Sequence, residues 1–203
     1  MKRLGVLLSG RGSNFVAIAD AIAAGRLPGA EIAVVLSNKA DAPGLGAARD
    51  RGLRADAVPA KGMTREEHDG EMIRRLREAR VDLVCLAGYM RIVGAEFVRA
   101  FPGAILNVHP ALLPAFPGLD GQRQALEYGV KVAGCTVHFV DEAVDHGVIV
   151  LQRVVAVEDG DTEETLAARI LEQEHRAYAE GIARVLSGEY GVVGRRFVRL
   201  GAG

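Results

Sequence analysis

Strand-length apolar runs alternate with helical patterns through the first half of this chain: RLGVLL, FVAIADAIAAG, EIAVVLS, a helical segment near 43 to 52, then LRADAV. Two parallel strands have to be joined by a crossover, normally a helix, so the alternation predicts βαβ units around a parallel sheet. A helix from about 64 to 80 opens with Thr64 and, three residues on, Glu67, the spacing of a capping box. It leads into VDLVCLAG, a continuous apolar run of the kind buried on both faces. After about residue 100 the pattern changes to a strand AILNVH, a proline-rich loop PALLPAFPG, a helix near 121 to 129, and two β-rich stretches, VAGCTVHFV and GVIVLQRVVAV. The short link DEAVDHG between those two favours antiparallel pairing. A long helix from about 162 to 187 is entered through DGDTEET and left at Gly188. The expected fold is α/β: a single Rossmann-like domain over 1–203, with a mostly parallel mixed sheet, helices on both faces and an antiparallel C-terminal part.

Composition narrows the partners. With 203 residues, 49% of them hydrophobic, the chain can fill one sizeable core. Lys and Arg number 25 against 26 Asp and Glu, which gives no electrostatic reason to expect nucleic acid or an anionic membrane. Cys85 and Cys135 lie inside apolar runs without CxxC spacing or a zinc-type histidine arrangement, so they read as reduced core residues, and no metal is expected. The basic, apolar start MKRLGVLLSG is too short for a signal peptide and no run approaches the roughly 20 apolar residues of a membrane span. A cytoplasmic protein is expected.

The first strand ends in Ser9-Gly10-Arg11-Gly12-Ser13-Asn14, where a helix begins at once. Free N–H groups and the helix dipole then face whatever lies beside the loop, which suits an anion. No third glycine follows, and the second strand ends Ser37-Asn38-Lys39 where a dinucleotide enzyme would usually carry an acid, so a phosphate monoester fits better than NAD. The competing reading is a plain strand-to-helix turn capped by Ser13 or Asn14.

Asn107 and His109, two apart at the end of AILNVH, project to one side of an extended chain, and Pro110 ends the strand there. The three prolines and one glycine that follow restrict a loop able to hold both in fixed geometry, as acyl transfer requires. Asp145 lies in the tight connection DEAVDHG, where Asp alone would read as a turn-former. On the last helix Leu166, Ile170, Tyr178 and Ile182 form an apolar stripe at steps of four, and Glu174 falls on it. A carboxylate there either faces inward and needs a partner, or reaches solvent at the stripe's edge.

The set GRGSN, AGYMRI, ILNVHPALLPAFPG, GCTVHFVDEAVDHG and ILEQEH, in this order, resembles the phosphoribosylglycinamide formyltransferases from residue 2 to about 188. HPALLP is shared across folate formyltransferases and speaks for the chemistry; GSN and ILEQEH speak for the acceptor. The resemblance implies formyl transfer from 10-formyltetrahydrofolate to glycinamide ribonucleotide in purine biosynthesis. It implies that His109 is the proton donor, Asn107 polarises the formyl group and Asp145 supports the histidine. Gly12, Ser13, Asn14, Leu171, Glu172, Gln173 and Glu174 would contact glycinamide ribonucleotide. Arg65, Met90, Arg91, Ile92, Val93, Asn107, Asp141, Glu142, Ala143, Val144 and Asp145 would line the folate pocket. A phosphate-binding half of about 1–100 and a catalytic, folate-binding half of about 101–203 follow from this, in a monomer or homodimer.

The chain departs from the family pattern at PGLDGQRQALEYG, where many members carry a histidine near Asp120, and at DHGVIV, where relatives often have a second glycine and a proline. His68, His146 and His175 are expected at exposed helix or turn positions and His138 in a strand, all four structural or solvated. GRRFVRL reads as a solvated strand face. Rival readings are a related formyltransferase acting on methionyl-tRNA or an amino sugar, a formyltetrahydrofolate deformylase, a noncatalytic nucleotide-binding module and an NAD oxidoreductase. The absence of an added C-terminal or N-terminal domain is expected to weigh against the first two.

Overall fold

A computed structural model describes residues 1–201. The chain forms two compact units, Met1–Asn107 and a second from Val108 onward. The first contains β1 (Lys2–Leu8), α1 (Ser13–Ala23), β2 (Ala30–Ser37), α2 (Pro43–Arg49), β3 (Ala55–Ala57), α3 (Arg65–Glu78), β4 (Leu83–Leu86), α4 (Ala95–Ala100) and most of β5 (Ile105–His109). β1 pairs in parallel with both β2 and β4, β2 with β3, and β4 with β5. The middle residues of β2 and β4 are apolar, and Val34, Val35, Leu36, Val84 and Cys85 are wholly buried.

The second unit holds α5 (Gly121–Tyr128), β6 (Val132–Phe139), β7 (Ile149–Ala156), α6 (Glu163–Leu186), β8 (Tyr190–Val193) and β9 (Arg196–Arg199). β6 and β7 pair antiparallel, as the short link requires, and β8 and β9 form a separate hairpin. Strand order among the described residues is β3-β2-β1-β4-β5-β6-β7. The α/β fold with a mostly parallel mixed sheet is therefore the one the sequence predicts. A Cβ on Gly181 would sit 2.7 Å from Val137 Cγ1, so glycine lets α6 lie close on β6.

Both long helices begin as their first residues dictate. Thr64 accepts from Glu67 N while Glu67 reaches back to Thr64 N, and Thr162 and Thr165 do the same for α6. Two details differ from expectation. LRADAV contributes a strand of only three residues. The short α4, unmarked by any long periodic run, packs through Phe97, whose ring centroid is 5.5 Å from that of Phe101.

Candidate active site

The loop after β1 is built from backbone. Gly12 caps α1 with φ +74°, and no side chain caps the helix, which removes the reading of Ser13 or Asn14 as an ordinary cap. A Cβ on Gly12 would lie 3.1 Å from both Gly44 Cα and Leu8 Cδ2, so glycine is needed for space as well as conformation. Gly44 N donates to Gly10 O at 3.0 Å, bracing the loop against the start of α2. The first-turn N–H groups are thus presented as an anion-accepting end.

The 88–94 loop is fastened to the same unit at both ends. Ser9 Oγ donates to Asn38 Oδ1 at 2.5 Å and accepts from Met90 N at 2.8 Å. Asp69, nearly buried on α3, accepts from Gly94 N at 2.6 Å. Burial pushes the Asp69 carboxyl up, while the Gly94 N–H and the charges of His68, Arg91 and Arg65 pull it down. Arg65 and the 90–93 segment are thereby brought to one carboxylate, with Met90 and Ile92 exposed.

In the second unit His109 is buried and meets acceptors at both ring nitrogens: Phe116 O lies 2.8 Å from Nε2, and Asp145 Oδ2 lies 3.4 Å from Nδ1. Gly118 N donates to the same Asp145 oxygen at 2.8 Å, so the carboxylate is shared between histidine and loop. The other Asp145 oxygen lies 3.6 Å from His138 Nε2, while Phe139 O lies 2.8 Å from His138 Nδ1. Burial pushes the His138 imidazolium down, opposed by its backbone partner and by Asp145. Phe116 and Asp145, which flank His109, both take positive φ, +54° and +51°. For Phe this region is sterically costly, by roughly 1–2 kcal/mol, and it persists only where surroundings over-determine it.

Those surroundings are a closed polar network. Thr136 Oγ1 accepts from Leu113 N at 3.0 Å and donates to Ala111 O at 2.7 Å. Gln152 Nε2 donates to Thr136 Oγ1 and Leu113 O, each at 2.9 Å. Two strands of a sheet thus grip the loop that returns from His109 to Phe116. Asn107 is half-buried two residues before His109 on β5.

Glu174 is 7% exposed on the α6 stripe beside wholly buried Leu166, Ile170, Tyr178 and Ile182, so it faces inward. It lies near Cys135, whose thiol is pushed up to about 12 by burial first and by this carboxylate second. Leu171, Glu172 and Gln173 point elsewhere, as successive helical residues must, and Glu172 is exposed. The 141–145 segment is exposed except at Asp141 and Asp145, and Asp141 Oδ1 accepts from Ala143 N at 3.0 Å.

Two histidine readings, His68 and His175, need correction. His68 is wholly buried, with Val58 O 2.8 Å from its Nε2, because the 60–64 turn brings the preceding strand back over α3. His138 lies in β6, the strand expected for it, buried with Asp145 Oδ1 3.6 Å from its Nε2. His175 is half-buried, and desolvation pushes its pKa down. His146 is exposed, as expected. Asp69 was missed although its signal matches that of Glu174: it lies three and four residues before Met72 and Ile73 on the buried face of α3. Among the described residues no helix is long and apolar enough to cross a membrane.

A formyl transferase family model matches residues 2–182. A phosphoribosylglycinamide formyltransferase of Escherichia coli is 44% identical over 174 residues, 85% of this chain and 82% of that protein. A trifunctional purine biosynthetic protein of Drosophila pseudoobscura is 48% identical over 92% of this chain, which spans only 14% of that protein's length. The crystal structure of glycinamide ribonucleotide transformylase 1 from Symbiobacterium toebii superposes with a TM-score of 0.95 at 53% identity, covering 98% of this chain and 94% of that one. With a family model over residues 2–182, these relatives and the fold in agreement, the chain belongs to the formyl transferase family, among the phosphoribosylglycinamide formyltransferases.

Proposed function

We propose that this chain acts as one formyltransferase domain, 1–203, moving a formyl group from 10-formyltetrahydrofolate to the amine of glycinamide ribonucleotide in purine biosynthesis. The observation that carries the reading is buried His109 held between Asp145 and the Phe116 carbonyl at the end of the strand that bears Asn107. The similarity to phosphoribosylglycinamide formyltransferases, one of them matched over 82% of its own length, supports the choice of acceptor.

The acceptor amine attacks the formyl carbon, a C–N bond forms, and the carbonyl electron pair moves onto oxygen. Asn107 donates an amide N–H to that oxygen, and His109 donates from Nε2 once the formyl oxygen takes the place of the Phe116 carbonyl. Collapse breaks the bond to the folate nitrogen, which leaves with a proton as the amine loses one. Asp145 faces His109 Nδ1 and keeps the ring oriented, while its other oxygen faces His138. An amine needs no protein nucleophile, and this route uses no metal.

Gly12, Ser13 and Asn14 receive the acceptor's phosphate, and Leu171 to Glu174, chiefly the inward carboxylate of Glu174, receive its polar groups. Arg65, Met90 to Val93 and Asp141 to Asp145 contact the folate. The balanced charge supports small-molecule over polyanionic partners; the cytoplasm as compartment and a monomer or homodimer complete the reading.

The test is formyl transfer from a 10-formylfolate donor, followed with and without glycinamide ribonucleotide in wild type and His109→Ala. Acceptor-dependent turnover falling about 10³-fold or more in the variant is expected. Donor cleavage without acceptor would mark a deformylase, and undiminished turnover in the variant would remove His109 from the chemistry.

A further inference from the structure

The C-terminal hairpin carries GRRFVRL, whose arginines read in sequence as a solvated strand face, and Arg195 among them reaches a different segment of the chain. Arg195, in the turn between β8 and β9, donates from Nη2 to His146 O at 2.6 Å and from Nη1 to His146 Nε2 at 3.3 Å. Guanidinium can only donate, so Nε2 accepts and the ring proton sits on Nδ1, directed at Asp141 Oδ2 at 2.8 Å. Arg195, His146 and Asp141 therefore form a chain across the mouth of the 141–147 segment, and Asp141 also accepts from Ala143 N.

The hairpin itself is anchored. Phe197 stacks on Tyr190 with centroids 5.3 Å apart and meets Phe139, the last residue of β6, edge-on at 5.8 Å. Arg184 of α6 lies over the Tyr190 ring, and Arg199 pairs with Glu189 at 2.8 Å. The base of the segment is closed by Phe139 N donating to Val148 O at 2.9 Å. Its tip is exposed at Glu142, Ala143 and Val144, yet it must hold Asp145 at φ +51°. Gly118 N fixes the Asp145 side chain, and Arg195 is the group that grips the backbone immediately after it.

We propose that Arg195 is a positioning residue for formyl transfer: it clasps the 141–147 segment through His146 and so presents Asp145 to His109 and the segment to the donor. The inference rests on the proposed donor role of residues 141 to 145. The experiment compares the full chain with Arg195→Ala and Arg195→Lys by amide hydrogen exchange over 141–147, by KM for each substrate and kcat, and by thermal midpoint. In Arg195→Ala the segment exchanges faster, kcat/KM for the donor falls about fivefold to tenfold, and acceptor KM and the midpoint hold, because the lost contacts are local and exposed. Lysine, a single-point donor, restores part of the loss.

Unchanged exchange over 141–147 in Arg195→Ala overturns the clasp. Equal losses for both substrates together with a lowered midpoint also overturn it, in favour of a role in general stability. Faster exchange with unchanged donor kinetics keeps the clasp and removes the donor assignment of the segment.

Discussion

The two units make their functional surfaces from different materials. After β1, the surface is written in backbone: Gly12 in the left-handed region, a helix end with no side-chain cap and a loop braced by Gly44 N. Around His109 it is written in side chains, with Asp145, His138, Thr136 and Gln152 each occupied by named partners. A backbone site is specified by what is missing, a Cβ or a cap, and tolerates change in the side chains around it. A side-chain site is specified by what is present, and one altered atom propagates through the shared partners. The first arrangement suits holding an anion equally well before and during reaction, the second suits answering charge that appears only in the transition state.

That contrast predicts a split in kinetics. Asp145→Asn keeps the shape and the Gly118 contact but removes the charge facing His109 and His138; steady-state assays are expected to show kcat down about 100-fold with both KM values little changed. A raised KM with intact kcat would make Asp145 a binding residue and erase the distinction. Gly12→Ala should act in the opposite sense, raising acceptor KM roughly tenfold with kcat largely kept, and lowering stability by about 1–2 kcal/mol from the left-handed φ and the tight approach to Gly44. If denaturant melts show the stability loss but acceptor KM stays put, the loop is a structural turn only.

The smallest expected effect concerns pH. The native pKa of His138 is held below its ordinary 6.5 by burial, so the unfolded chain binds more protons below that value. Stability should therefore be full above about pH 6.5 and decline as pH falls toward the native pKa, with a slope from this group of at most about 1.4 kcal/mol per pH unit. His175 contributes with the same sign. Urea melts across pH 5 to 7.5 should show a shallower slope in His138→Gln; an unchanged slope would mean that this ring titrates normally in the fold.

Much of this architecture was legible before any coordinates, for identifiable reasons. Strand and helix periods are local, so β1, α1, β2, α3 and α6 follow from their own residues, and the capping box at Thr64 marks its helix start directly. Glu174 was legible because a charge on an apolar stripe is an anomaly visible in one dimension. Asp145 stood in the sequence as a plausible turn-former, and only its family motif gave it a role. Its partnership with His138, seven residues back across the β6–β7 link, depends on a chain reversal that no periodicity reports. Nor could the Phe116 carbonyl be foreseen, since backbone oxygens carry no sequence signal. Arg195 is exposed, as its sequence reads, but its reach to His146, 49 residues away, carries no sequence signal for a related reason.

The apposition of Cys135 and Glu174 has a consequence outside catalysis. Only the thiolate is an effective nucleophile toward peroxides and alkylating agents, and a thiol with a pKa near 12 is almost wholly protonated at neutral pH. Burial first, and the Glu174 carboxylate second, thus keep this sulfur inert. Oxidants that silence exposed, acidic thiols should pass this one by, leaving the helix-on-strand joint beneath Glu174 chemically unmarked through the life of the protein.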